Sequence, residues 1–289
     1  MVNACNDLFS ILFADDTNVF VTGKNINTLI DTMNNELKKL YEWMCINKLS
    51  LNIKKTKFMV LTMKKNPEIN QSVHINGQVI EQVNKFKFLG VIIDSHLKWA
   101  DHVQYIRKKI SKGLGIIYKA KRVLNPATLL TLYYSFVYPY LLYCIEVWGN
   151  ASKGLMLSLL KLQKRALRLI KSVPIRTESE PLFKSLELLT VFKLYIFKIG
   201  LFMHKFITDK VAQCTNDLFK RTYEIHGRST RQGNKLYIPF TRLETVRKSI
   251  RYRGANIWNI ISDKVTTSCS IYSFKRRLKI YLVDNDKHL

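Results

Sequence analysis

Leu8 to Gly23, LFSILFADDTNVFVTG, admits few folds. Its two arms are rich in β-branched and aromatic residues, and Ile11, Phe13, Val19 and Val21 recur with near period 2, as strands require. Between the arms, Asp15-Asp16-Thr17-Asn18 is turn chemistry. The stretch predicts a short β-hairpin with two adjacent carboxylates at its tip. Neighbouring side chains of a strand point to opposite faces, so only the turn lets both carboxylates serve one site. Two carboxylates held together repel unless a cation sits between them, and such hard oxygen ligands suit Mg²⁺ or Mn²⁺. Taken alone, the same four residues also read as a solvated turn, and the motifs downstream of Gly23 bear on the choice.

The chain has 289 residues, 47% of them hydrophobic, enough to bury a core and to exclude global disorder. Lys and Arg number 47 against 21 Asp and Glu, a net charge of +26, which favours a polyanionic partner, nucleic acid before membrane. The charge is uneven: residues 1–64 carry a net +2 and the remainder +24. From Tyr105 to Lys171 there are thirteen basic residues and one acid, Glu146. The five cysteines, Cys5, Cys45, Cys144, Cys214 and Cys269, are scattered without a C-x-x-C pair, which argues against a disulfide scaffold or zinc site and for a reducing compartment. No signal-peptide pattern opens the sequence, so the expected location is intracellular, nucleus or cytoplasm. Val123 to Ile145 is uncharged and long enough to span a bilayer. Its Asn125-Pro126 start, its tyrosines and Pro139 instead predict a buried helix with a wet tyrosine edge, and no membrane span.

In chain order, Asn27 to Asn47 reads as an amphipathic helix with Leu29, Ile30, Met33, Leu37, Leu40 and Met44 on one stripe. Asn34, Lys38, Lys39 and Glu42 fall on the other face, and Thr28 with Asp31 resembles a capping box. Leu49 to Met63 predicts two strands around a basic knot, Lys54-Lys55-Thr56-Lys57. A solvated loop is the bland reading of the knot; a lysine near a leaving phosphate is the functional one. Asn76-Gly77 between β-rich runs signals a hairpin. Lys85 to Asp94, KFKFLGVIID, suggests one further strand with Gly90 as a bulge or point of close backbone approach.

The order of these motifs resembles the second half of a reverse transcriptase palm of the non-LTR (LINE-type, jockey-like) retroelement family: a FADD hairpin, an amphipathic helix, LNIKKTKF, then KFLGVIID. The resemblance implies that Asp15 is the principal Mg²⁺ (or Mn²⁺) ligand with Asp16 its neighbour. Lys55 matches the family's lysine motif, and Phe88, Leu89 and Gly90 match the segment supporting the primer end. It further implies RNA template and DNA primer as partners, and a two-metal nucleotidyl transfer to a 3′-hydroxyl. Polymerase metal chemistry also needs an aspartate from an earlier palm strand, and only twelve residues precede Phe13. The expectation is therefore a truncated polymerase that binds metal poorly and does not polymerise alone.

Beyond Asp94 the pattern turns helical. Asp101 to Val123 places Val103, Ile106, Ile110, Leu114 and Ile117 on one stripe, with Arg107, Lys108, Lys112 and Lys119 among the residues elsewhere. Asn125-Pro126 caps and opens a second helix, which Pro139 ends or kinks. Leu155, Leu159, Leu162, Ala166 and Leu169 mark a third, faced by Lys164, Arg165 and Arg168. Three basic helices after a palm resemble the family's thumb, and Lys/Arg contact with phosphates is sequence-independent and salt-sensitive. Ser172 to Ile175 looks like a joint. Beyond it lie an apolar helical stretch with Leu188, Phe192, Tyr195, Ile199 and Phe202 as its stripe, a polar loop from Gln213 to Leu236, and KSIRYRGANIWN. Arg251 and Arg253 are interleaved there with Tyr252 and Trp258, which either grip a single strand by stacking or belong to the core.

The expected architecture is α+β: a partial palm of antiparallel strands with a helix over residues 1–95, a mainly α-helical basic thumb over 96–173, and a helical basic C-terminal module over 174–289. The expected function is that of an RNA-directed DNA polymerase fragment. The alternatives are a non-catalytic nucleic-acid-binding remnant and an unrelated basic scaffold whose FADD is merely a turn.

Overall fold

The structure is a computed structural model that describes residues 8–64, 69, 71–226, 234–261, 265 and 270–285. It is α+β and divides into two compact units, Met1–Lys98 and Trp99–Leu289.

The first unit opens with strands β1 (Phe9–Phe13) and β2 (Asp16–Phe20), an antiparallel pair in which Phe13 faces Asp16, Ile11 faces Asn18 and Phe9 faces Phe20. The expected hairpin forms, with Ala14 and Asp15 as its two-residue turn and Ala14 at φ 51°. The register corrects one detail. Residues directly opposite share a face, so Ile11 and Phe13 lie with Asp16, Asn18 and Phe20, whereas Val19 lies with Leu12 on the other side. The strand-period pattern does not carry across the turn as one stripe because the two-residue turn, not the spacing, sets which residues align.

Helix α1 (Ile26–Ile46) buries Ile30, Leu37, Leu40 and Met44 against Val73, Ile75 and Ile80, and Val19 of the hairpin packs on this cluster. Its cap is not the expected box. Asn25 is the N-cap and accepts from the Asn27 amide at 3.0 Å, while the Thr28 hydroxyl donates back to the Asn25 carbonyl. Asn places its short amide oxygen where the orphan first-turn amides lie, which Asp31, inside the helix, does not reach. Asn34, expected on the solvent face, is half-buried and clamps the neighbouring chain: its amide donates to the Ser72 carbonyl and its oxygen accepts from the His74 amide.

Leu49 to Met63 does not make two strands. Only β3 (Lys57–Phe58) forms, pairing in parallel with β6 (Glu81–Gln82). Asn52 accepts from the Lys55 amide and closes a turn over 53–55, which stops a strand from propagating through the knot. The Asn76-Gly77 hairpin joins β4 (His74–Ile75) to β5 (Gln78–Val79), with both turn residues at positive φ. KFKFLGVIID is a hairpin rather than one strand: β7 (Lys85–Phe88) and β8 (Val91–Asp94) pair antiparallel, with Phe88 opposite Val91. Leu89 (φ 43°) and Gly90 (φ 84°) form the two-residue turn, a backbone that glycine favours at its second position.

The second unit is helical. Helix α2 (Ala100–Ala120) buries Val103, Ile106, Ile110, Leu114 and Ile117, the stripe its sequence predicts. Asn125 caps α3 (Pro126–Phe136) through the Thr128 amide, with Pro126 at its first turn, also as predicted. The uncharged run is broken further than one kinked helix. After α3 come α4 (Tyr138–Leu142) and α5 (Ile145–Trp148), separated at Cys144, whose φ is 49°. Its tyrosine edge is only partly wet: Tyr133 is fully buried and takes a hydrogen bond from Gln163, while Tyr134 and Tyr143 are exposed. No helix among the described residues is long and apolar enough to cross a membrane.

Helix α6 (Lys153–Ile170) packs on α2. Its buried face is Met156, Leu159, Gln163, Ala166, Leu167 and Ile170, rotated from the expected stripe, so that Leu155, Leu162 and Leu169 are half-buried. Gln163 sets the rotation. It is fully buried, donates to Tyr133 and the Leu189 carbonyl and accepts from the Val191 amide, so a polar residue sits at the centre of the inner face. Next come α7 (Glu180–Ser185) and the apolar α8 (Val191–Ile207), which buries Tyr195 and Ile199. A 3-10 turn (Gln213–Leu218), α9 (Thr222–His226), α10 (Glu244–Lys248), α11 (Ile250–Ile260) and α12 (Ile271–Asp284) complete the unit, with α11 and α12 both packed on α8. The joint at Ser172–Ile175 is a loop, with the helices on both sides of it in one compact unit.

Candidate catalytic hairpin and basic helices

Asp15 and Asp16 are both exposed, the first in the turn and the second opening β2. Asp16 shares its face with Phe9, Ile11, Phe13 and Phe20, all exposed, with Phe9 at 60% and Phe13 at 56%. The acidic pair thus stands at the end of an open apolar surface, supported from the opposite side through Val19. Their oxygens are the right donors for Mg²⁺. No group of three or more His, Cys, Asp or Glu that could hold a metal exists among the described residues. The donor type fits a divalent cation, and the donor number falls short of what a two-metal site needs.

Lys55 lies in the exposed turn closed by Asn52 and makes no ion pair among the described residues. Its neighbour Lys57 is spent on Glu81, in register on β6. Phe88, Leu89 and Gly90 form the tip of a separate hairpin. The structure therefore brings Asp15 and Asp16 together, and holds Lys55 and Phe88–Gly90 on turns of their own within the same unit.

On α2, Arg107, Lys108, Lys112 and Lys119 are exposed, and among the described residues none makes an ion pair. Lys109 and Lys121 lie over the rings of Tyr105 and Tyr118 at 5.6 and 5.4 Å. On α6, Arg165 is exposed and Lys164 half-buried, again without ion pairs among the described residues. Arg168 is partly committed, its Nε donating to the Thr177 carbonyl at 2.9 Å. The one acid between Tyr105 and Lys171, Glu146, is held by Lys198 at 2.8 Å. Packed helices carrying this many unpaired cations attract a polyanion.

In α11 Arg251 is exposed, whereas Arg253 is half-buried and hydrogen-bonded to Tyr195. Burial pushes the Tyr195 hydroxyl up from its ordinary range and Arg253 pulls it part of the way back. Tyr252 and Trp258 are both half-buried, and Trp258 packs on Phe274 of α12 with ring centroids 5.8 Å apart. In α12 the aromatic ring held out to solvent is Tyr272, 82% exposed. Sequence reasoning passed over it, although its place opposite Phe274, Leu278 and Leu282 is legible in the helical period.

No protein-family model matches the chain, and no solved structure matches it. Curated relatives do. The RNA-directed DNA polymerase from mobile element jockey of Drosophila melanogaster is 25% identical over 172 residues, 58% of this chain and 18% of that protein. Its counterpart in Drosophila funebris is 27% identical over 168 residues, 56% of this chain and 18% of that protein. The retrovirus-related Pol polyprotein from type-1 retrotransposable element R1 2 of Nasonia vitripennis is 26% identical over 154 residues, 49% and 36% of the two chains. The chain thus spans about a fifth of the length of the jockey proteins it matches. Over about 60% of its length, the chain is a sequence relative of the RNA-directed DNA polymerases of jockey-like, non-LTR retrotransposons.

Proposed function

We propose that this chain is a portion of a non-LTR retroelement reverse transcriptase, which transfers nucleotides onto a DNA primer under the direction of an RNA template. The observation that carries the reading is the FADD turn, two exposed carboxylates opening a short hairpin, in a chain whose relatives are named RNA-directed DNA polymerases. Residues 1–95 correspond to part of a palm, 96–173 to a thumb that follows the primer-template backbone, and 174–289 to a helical basic module. Asp15 and Asp16 would hold Mg²⁺ or Mn²⁺, whose contribution is to stabilise charge on the reacting phosphate oxygens. Lys55 would supply counter-charge, and Phe88, Leu89 and Gly90 would steady the primer end. Arg107, Lys108, Lys112, Lys119, Lys164 and Arg165 would contact phosphates, with Arg168, Arg251 and Arg253 as further candidate contacts.

Two carboxylates from one hairpin are half of a two-metal site, and among the described residues no third ligand joins them. Primer extension on an RNA template by this chain alone is therefore expected to fail. Incorporation that Asp15→Asn abolishes would overturn the half-site reading. A non-catalytic nucleic-acid-binding role is the second reading, favoured by the same shortage of donors among the described residues. Both require duplex binding that falls steeply with salt. Six phosphate contacts give a log–log slope of about −5, and a flat response removes the thumb assignment.

A further inference from the structure

Helix α12 (Ile271–Asp284) turns Phe274, Leu278 and Leu282 into the core, against α8 and, through Phe274, against Trp258 of α11. Tyr272, Arg276 and Ile280 fall on the opposite face at spacings of four, one above the other. Tyr272 is 82% and Ile280 53% exposed, and Lys275 and Arg276 are exposed without an ion pair among the described residues. Lys279, on the flank of the same face, reaches Glu187 at 3.7 Å. The Tyr272–Arg276–Ile280 row holds no acid and spans about 12 Å, the rise of eight helical residues.

Tyr272 stands almost bare one turn before Lys275 and Arg276, a ring followed by two cations without an ion pair among the described residues. We propose that this face of α12 binds single-stranded nucleic acid, with Tyr272 stacking on an unpaired base and Arg276 and Lys275 contacting the flanking phosphates. A ring pointing away from the protein stacks only on a base free of its pairing partner, so single strand is preferred to duplex. Charge complementarity selects the polyanion: from Leu218 onward the sequence has sixteen basic and five acidic residues. A lipid surface fits less well, since a membrane-lying helix needs a broad apolar face and here Arg276 divides two isolated apolar side chains. The site is separate from the cations of α2 and α6, and it extends the nucleic-acid reading to a helix that reading does not use.

The test is equilibrium binding of the full chain to two fluorescent probes, an unstructured homopolymeric RNA strand and a DNA duplex, with anionic phosphatidylserine vesicles as a third arm. Tyr272→Ala is expected to weaken single-strand binding roughly ten- to a hundredfold, the range of a lost base stack, and to leave duplex binding unchanged. Tyr272→Trp should retain single-strand affinity. The exposed position makes the substitution compatible with folding, which circular dichroism verifies. Unchanged single-strand affinity, or an equal loss for both probes, overturns the proposal. A loss confined to the vesicles assigns the face to membrane and overturns it too. The paired substitution Lys108→Ala, Lys112→Ala on α2 keeps the two readings apart: it should lower duplex binding, and its failure to do so counts against the thumb assignment while leaving α12 to be decided by Tyr272.

Discussion

In residues 1–98 the largest apolar side chains of the FADD hairpin point outward; in residues 99–289 many of those on the helices are shut away. Phe9, Ile11, Leu12, Phe13 and Phe20 are all exposed, whereas Val103, Ile110, Ile117, Leu141, Trp148 and Leu159 are wholly buried. Charge divides the same way. Residues 1–98 hold twelve Lys/Arg against nine Asp/Glu, and residues 99–289 hold 35 against twelve. The more specific chemistry therefore stands on the less self-sufficient scaffold. A two-stranded hairpin is marginal by itself, and the open face beside Asp16 needs covering before the carboxylates can be held firmly. The helical unit buries its own core and, among the described residues, turns cations without ion pairs outward, so the binding proposed for it calls on no further support.

The largest expected effect lies in the helical unit. Trp148 is fully buried, its indole nitrogen donating to the Tyr143 carbonyl at 2.8 Å. Trp148→Ala should cost about 3–5 kcal/mol by leaving a cavity and an unused acceptor. Phe13→Ala removes a ring that is already wet and should cost less than about 0.5 kcal/mol. Urea denaturation followed by far-ultraviolet circular dichroism compares the two, and equal losses would mean that the hairpin face is covered in solution.

Binding sharpens the same contrast. Replacing Lys108, Lys112 and Arg165 together with alanine should reduce the salt slope of duplex binding by about 3, one for each lost phosphate contact, and weaken binding at low salt. Asp15→Asn should leave duplex binding as it was. If the aspartate variant instead changes the slope, the hairpin and not the helices carries the electrostatics.

A smaller effect concerns His102 in the first turn of α2, enclosed by Trp148 at 5.5 Å and Tyr105 at 6.4 Å between ring centroids. Burial lowers its pKa from the ordinary 6.5 to about 4. The folded state therefore binds fewer protons than the unfolded chain between these values. Stability should be level above pH 6.5, fall as the pH drops toward 4, and level off below, a loss on the order of 2 kcal/mol. His102→Leu removes that dependence, so thermal midpoints of variant and parent should diverge as the pH is lowered, the parent losing stability that the variant keeps. Parallel curves would show that His102 takes up its proton equally well in the folded and unfolded chain.

How much of this was legible in the sequence depended on the kind of signal. Residue identities with steric meaning were readable: Asn76-Gly77 as a turn, Asn125-Pro126 as a helix start, the apolar stripe of α2. What misled was pattern without knowledge of the partner. Leu155, Leu162 and Leu169 looked as good a stripe as the true one, because nothing local shows that Gln163 is satisfied by Tyr133, Leu189 and Val191 from other segments. KFKFLGVIID looked like one strand because its turn is only Leu89-Gly90, flanked by apolar residues on both sides. At the site, Asp15 and Asp16 were legible because adjacency is local. Arg253 was not, since its engagement with Tyr195 is a tertiary contact.

Two glycines carry the comparison to its finest scale. Gly113 lies in α2 where an added β-carbon would come within 2.7 Å of the Phe136 carbonyl oxygen, a backbone atom that cannot swing aside. Gly113→Ala should cost about 1–2 kcal/mol, the gain in helix propensity failing to offset the forced separation of α2 and α3. Gly77 has nothing within 4 Å of its would-be β-carbon, so space is no obstacle there. Its φ of 72° is the constraint, and Gly77→Ala should cost about 1 kcal/mol. Asparagine separates the two causes. It tolerates the left-handed region, so Gly77→Asn should recover much of the loss, while Gly113→Asn should be worse than alanine. Thermal denaturation of the four variants decides it. Recovery at 77 alone means that the first unit is held at this turn by backbone conformation and the second by close packing of its helices. Recovery at both would leave the α2–α3 approach without the tightness its geometry implies.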